Sequence, residues 1–128
     1  MEEKLLNEWQ ERLGLQDWAI VLRYNCKFSD LDTEDSIGET VWSNTIKNAT
    51  IRIVSKEEYG NDRTLPFDFE QTLVHELLHI KFGLIDIMNS GYESKVVDEL
   101  RHQLIDDLAR ALVMAKRRRN KKKIRKKL

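Results

Sequence analysis

One cysteine, Cys26, stands alone in this chain of 128 residues, so no internal disulfide can form. A lone thiol fits a reducing cytosol, the expected location. It sits in strand-like sequence and reads as a small packed residue. Proline occurs once and glycine five times, which argues against a long disordered linker. No apolar run approaches the roughly 20 residues that span a bilayer, so no membrane partner is expected. The opening Met1-Glu2-Glu3-Lys4 lacks the apolar core of a signal peptide. Net charge is lacking too, since 22 basic and 22 acidic residues cancel. With 41% hydrophobic residues the chain can build one domain around a modest core.

The cancelled charge conceals an asymmetry. Lys116 to Leu128 carries ten Lys/Arg and no acid. Residues 1–115 keep the other 12 basic residues and all 22 acids, a net of −10. The reading is therefore a domain over 1–115 and a basic tail over 116–128.

Leu5, Leu6, Trp9 and Leu13 recur at helical spacing, which predicts a helix over Lys4 to Leu13 closed by Gly14. Trp18 to Tyr24, Ile37 to Trp42 (interrupted by Gly38) and Ala49 to Val54 read as strands. Asn25 to Ser36, with Asp30, Asp32, Glu34 and Asp35, reads as a solvated acidic loop without the spacing of a calcium loop. Ser55 with Glu58 is a capping-box pattern for a short helical turn. Phe67 to Phe82 reads as a helix, with Pro66 at its start and Gly83 at its end. A long helix is predicted over Tyr92 to Ala115. Val97, Leu100, Leu104, Leu108 and Ala111 form its main apolar stripe, and His102, Ile105, Ala109 and Leu112 a neighbouring one. This order predicts an α+β domain with a small, mostly antiparallel three-stranded sheet.

The chemistry concentrates in Thr72-Leu73-Val74-His75-Glu76-Leu77-Leu78-His79, which contains His-Glu-x-x-His. Residues four apart share a helix face, so His75 and His79 can present two imidazoles to one metal ion. Glu76 then sits beside the metal's open position, where it can take a proton from water and return it to a leaving amine. Zinc suits this donor set, one ion per chain. The competing reading is a buried helix whose histidines are merely satisfied polar residues. Against it, only three histidines occur and two fall in the motif.

Catalytic zinc usually takes three protein ligands plus water. His102 is the favoured third ligand, because it heads the stripe of Ile105, Ala109 and Leu112. Asp106, four residues on, can orient an imidazole from behind. Glu93 and Glu99 are the alternatives. Tyr59 or Tyr92 could serve as an additional electrophile.

These residues carry a resemblance. The motif, Leu15-Gln16-Asp17-Trp18 leading into the first strand, Ala49-Thr50-Ile51-Arg52-Ile53 and the run His102 to Leu112 together resemble minimal zincin domains of phage and mobile-element proteins. These are related in plan to SprT-like and ImmA/IrrE-type metallopeptidases. The resemblance spans roughly Leu15 to Ala115, and only His-Glu-x-x-His in it is specific. It implies zinc on His75, His79 and a third residue, with Glu76 as general base. It also implies that the strand at Ala49 to Ile53 offers an edge to an extended peptide or protein substrate. The chain departs from the metzincin extension, with Phe82 at the glycine position and Ile85 at the third histidine position. The Gly-His segment of SprT-like proteins is missing as well. ImmA-type enzymes use a glutamate in the later helix, so the subgroup stays open.

The expected function is a zinc metallopeptidase. The alternative is a non-catalytic zinc-containing binding or regulatory module, contacting a protein partner or nucleic acid through the basic tail. Any nucleic-acid contact by Arg117, Arg118, Arg119, Lys121, Lys122 and Lys123 would be non-specific, since no aromatic residue interleaves the charges. The competing reading of the tail is a solvated, disordered segment or one folded back on the acidic body.

Overall fold

Three strands form one sheet in the spatial order β1-β3-β2, with β1 at Ala19–Cys26, β2 at Gly38–Ser43 and β3 at Asn48–Val54. Among the described residues four α-helices accompany the sheet: α1, Glu2–Arg12; α2, Lys56–Tyr59; α3, Phe69–Lys81; and α4, Lys95–Lys127. The computed structural model describes residues 1–33, 35–83 and 95–127, with Lys95 and Val96 described by backbone alone. Glu93 and Tyr92, and the segment Leu84 to Gly91, lie outside the described residues.

The α+β class expected from the element order is the one observed, but two readings of the sheet are corrected. The sheet is mixed: β3 runs antiparallel to β2 and parallel to β1. From β1 the chain crosses to the far edge for β2, then turns through residues 44–47 so that β3 inserts between them. Consequently Ala49 to Ile53 presents no free edge, because β3 exchanges hydrogen bonds on both sides. Among the described strands the open edges belong to β1 and β2.

The core lies between this sheet and α3. Leu73, Val74 and Leu77 of α3 are fully buried, as are Ile51 and Ile53 of β3. Burial of such a side chain contributes about 1.5–3 kcal/mol relative to exposure. Leu6 and Trp9 of α1 close one flank of this cluster. Behind Trp9 the helix stops at Gly14, whose φ of +70° places the chain in the left-handed region. The Leu15 amide then donates to the Gln10 carbonyl at 2.7 Å, which satisfies a helix-end acceptor.

α3 starts two residues later than its pattern suggests. Asp68 stays extended as N-cap, and its carboxylate accepts from the Gln71 amide at 3.1 Å. That leaves Phe67 outside the helix.

α4 differs more. Of its two apolar stripes, the one that packs inward is that of Ile105, Ala109 and Leu112, with Val113, which neither stripe included, beside it; Ile105, Ala109 and Val113 are exposed by 1%, 0% and 1%. Leu100 and Leu104 of the other stripe are both 60% exposed. The helix also continues through the expected boundary at Ala115, so the basic segment is helical rather than a disordered tail. Two interactions anchor the crossing. Lys116 pairs with Glu8 of α1 and with Glu70 of α3. Arg117 makes a two-pronged contact with Asp68 at 2.9 and 3.1 Å. Beyond these, Lys and Arg are good helix formers, and cations suit a helix C-terminus.

Candidate metal centre

α3 buries Leu73, Leu77 and Ile80 against the sheet and α1, which turns His75 and His79 toward α4. α4, docked by Ile105 and Ala109, brings His102 to meet them. One ligand nitrogen from each of the three histidines lies within 4.8 Å of the other two. Ring centroids are 5.0 Å apart for His75 and His79, 4.9 Å for His79 and His102, and 6.3 Å for His75 and His102.

Three imidazoles and one side open to solvent match the donor set of a catalytic zinc site. Two nitrogens bound at about 2.1 Å to one ion can be no more than about 4.2 Å apart, so small side-chain rotations would complete the set. His75 and His79 are half-buried and His102 is exposed, which leaves an approach from solvent.

The electrostatics favour ligation. Burial pushes the His75 pKa below its usual value, against the opposing charge of Asp106. Burial, helped by the neighbouring His75 and His102, pushes His79 down to about 4. Both imidazoles are therefore neutral near pH 7, as a metal requires. Asp106 Oδ1 stands 3.4 Å from His75 Nδ1, which leaves Nε2 for a metal. Asp106 in turn accepts from Arg110 at 3.1 Å. Asp106 thus stands beside a histidine of α3 rather than beside His102, the histidine four residues before it on its own helix. Glu99 is exposed and does not line the site.

Glu76 is buried, at 5% exposure. Its Oε1 accepts from the Thr40 hydroxyl at 2.6 Å, and its other oxygen lies against Gly38. A Cβ at Gly38 would come within 3.0 Å of Oε2. The missing side chain is thus what lets β2 close on the carboxylate. Burial pushes the Glu76 pKa up to about 7; the Thr40 hydrogen bond opposes this and the charge of Glu39 adds to it.

Thr40 and Gly38 escaped the sequence reading. The one available signal was the glycine interrupting a strand, which often marks a close backbone approach. Tyr59 lines the same groove, about 770 Å³ in volume. Its hydroxyl, however, donates to the Leu65 carbonyl at 2.7 Å, so it is engaged away from the histidines.

The structure separates the basic residues into two sets. Lys116 and Arg117 belong to the body. Arg118, Arg119, Lys121, Lys122 and Lys123 are exposed on the continuing helix. None of the described helices is long and apolar enough to cross a membrane. No known protein family, curated protein or solved structure matches this chain, so the case for the site stands on its geometry.

Proposed function

We propose that this protein is a zinc-dependent peptidase of zincin plan that hydrolyses peptide bonds in a peptide or protein substrate. One observation carries the reading: three imidazoles from two helices converge beside a buried glutamate held by a threonine. His75, His79 and His102 would hold the ion. When bound, zinc supplies a Lewis acid and lowers the pKa of a coordinated water to about 7.

The protein's own groups do the rest. Glu76 takes the proton of the attacking water and passes it to the departing amine. A carboxyl poised near neutrality suits both transfers. Thr40 donates to Oε1, so Oε2 is the oxygen left to carry the proton. Asp106 holds the ring of His75. β2 is an open edge, and residues 38–42 line the groove, so an extended substrate adds there as a further strand, backbone to backbone.

The test is elemental analysis of protein purified without chelator or histidine tag, followed by mass-spectrometric detection of cleavage in a mixed peptide library. We expect about one zinc per chain on the donor-set argument. His75→Ala and His102→Ala should lose it. Glu76→Gln should keep zinc and lose hydrolysis by about 10²–10⁴-fold, the usual worth of a general base. Zinc retained in His102→Ala would remove His102 as third ligand and move that role to Glu93. Full activity in Glu76→Gln would remove the general-base role, and no zinc in the wild type would sink the reading. A zinc-containing module acting by contact alone would show zinc, no cleavage, and partner binding indifferent to Glu76→Gln.

A further inference from the structure

α4 changes character at Lys116. Up to Val113 one face is buried; from Arg118 to Lys127 every residue is exposed. The ion pairs of Lys116 and Arg117 are the last on the helix among the described residues. Beyond them, residues 118–127 carry eight cations, with only Asn120 and Ile124 between.

We propose that this projecting end of α4 is a contact surface for duplex nucleic acid, gripping the phosphate backbone without reading bases. This surface does not depend on the peptidase site. First, charge density matches. At about 1.5 Å per residue, eight cations over ten residues give one positive charge per ~1.9 Å, against one negative charge per ~1.7 Å of duplex. Second, the cations wrap the helix. At about 100° per residue they cover an arc of roughly 240°, leaving one sector to Asn120 and Ile124. A groove walled by two phosphate strands meets both flanks of such a helix.

A flat anionic membrane fits less well. A helix lying on lipid needs an apolar face, and Ile124 alone does not make one. A single strand fits less well too, because the segment has no aromatic side chain on which bases stack. The body repels the same ligand: residues 1–115 carry a net −10. Contact is thereby confined to the helix end. Sixteen residues of helix, about 24 Å, separate Arg118 from His102, so bound nucleic acid stays clear of the metal centre.

The test uses the full chain and a fluorescein-labelled 20-base-pair duplex, followed by anisotropy between 50 and 200 mM NaCl. We expect log K to fall linearly with log salt at a slope of about −5, as five or six phosphates are neutralised. Two unrelated duplex sequences should bind within about threefold, as backbone contact requires. Replacing four cations together (Arg118→Gln, Arg119→Gln, Lys122→Gln, Lys123→Gln) should flatten the slope by about 3–4, each lost phosphate contact contributing ~0.9. The thermal midpoint of that variant should not move. Absence of binding at 50 mM, a flat wild-type salt dependence or an unchanged slope in the variant would each overturn the proposal. So would more than tenfold preference between the two duplexes, or stronger retention by phosphatidylserine vesicles at equal phosphate concentration.

Discussion

Along α4, Ile105, Ala109 and Val113 are buried against α3 and the core, whereas residues 118–127 touch solvent on every side. The inner part is helical because packing holds it: its buried residues recur every four positions on one face, and its neighbours supply the hydrophobic term. The outer part has no such support. From Arg117 to Lys127, six i,i+4 pairs join two cations. At about 0.2–0.5 kcal/mol each, their repulsion costs ~1–3 kcal/mol. Only the helix propensity of Lys and Arg, and the favourable placing of cations at a C-terminus, work the other way. One continuous helix therefore contains a segment defined by what it packs against and a segment defined by its charge.

The largest effect should come from attacking the inner part. Ile105→Ala leaves a cavity between α4 and the core and should lower stability by about 2–5 kcal/mol in urea titration. Lys122→Gly removes about 1 kcal/mol of local helix propensity. It should reduce the circular dichroism helix signal at low salt without moving the global midpoint. Equal midpoint shifts in the two variants would break the distinction between the two parts.

The same contrast explains what could be read in advance. The convergence of His75 and His79 was legible because residues four apart lie on one turn-spaced face. The spacing of His102 and Asp106 puts them on one face of α4 as well, but that Asp106 meets His75 rather than His102 depends on how α4 packs on α3. Which stripe of α4 turns inward was not legible. Two neighbouring stripes have similar apolar content, and the choice belongs to the partner helix α3. Helicity past Ala115 was hidden by the loss of apolar period, since a purely cationic run carries no sign of the Lys116 and Arg117 anchors. Those anchors depend on Glu8, Asp68 and Glu70, which only the fold brings near. Thr40 is likewise 36 residues from Glu76 and reaches it through the path of β2. The parallel pairing of β1 with β3 was unavailable for the same reason: nothing local in either strand records that β2 goes to the outside.

A second, intermediate effect sharpens the comparison at the proposed metal centre. Asp106→Asn removes the charge behind His75 but keeps its volume. It should weaken zinc by about 10–100-fold, the usual cost of losing such a partner, in competition with a chromophoric chelator. Arg119→Gln, on the same helix but beyond the anchors, should leave zinc affinity unchanged. Similar losses in both variants would mean that zinc responds to the total charge of α4 rather than to the contact at His75.

The smallest effect lies at the joint between the two parts. Burial works against ionisation of Asp68, but the Arg117 guanidinium and the Gln71 amide outweigh it and hold the carboxyl below its usual pKa. A carboxylate whose pKa is depressed by folding stabilises the fold above its unfolded pKa, near 3.9, and loses that contribution as pH falls through the folded value. The pair is partly solvated, with side chains 43% and 30% exposed, so screening limits its worth. Arg117→Ala should cost about 0.5–1 kcal/mol at pH 7. The urea-midpoint gap from wild type should persist down to about pH 5 and narrow toward pH 3, where Asp68 begins to protonate in both proteins. Arg118→Ala, one residue further out, should show no gap at either pH. If the Arg117→Ala gap stays constant into acid, the guanidinium acts through the packing of its stem on the body. The boundary between the two parts of α4 would then be set by apolar contact rather than by charge.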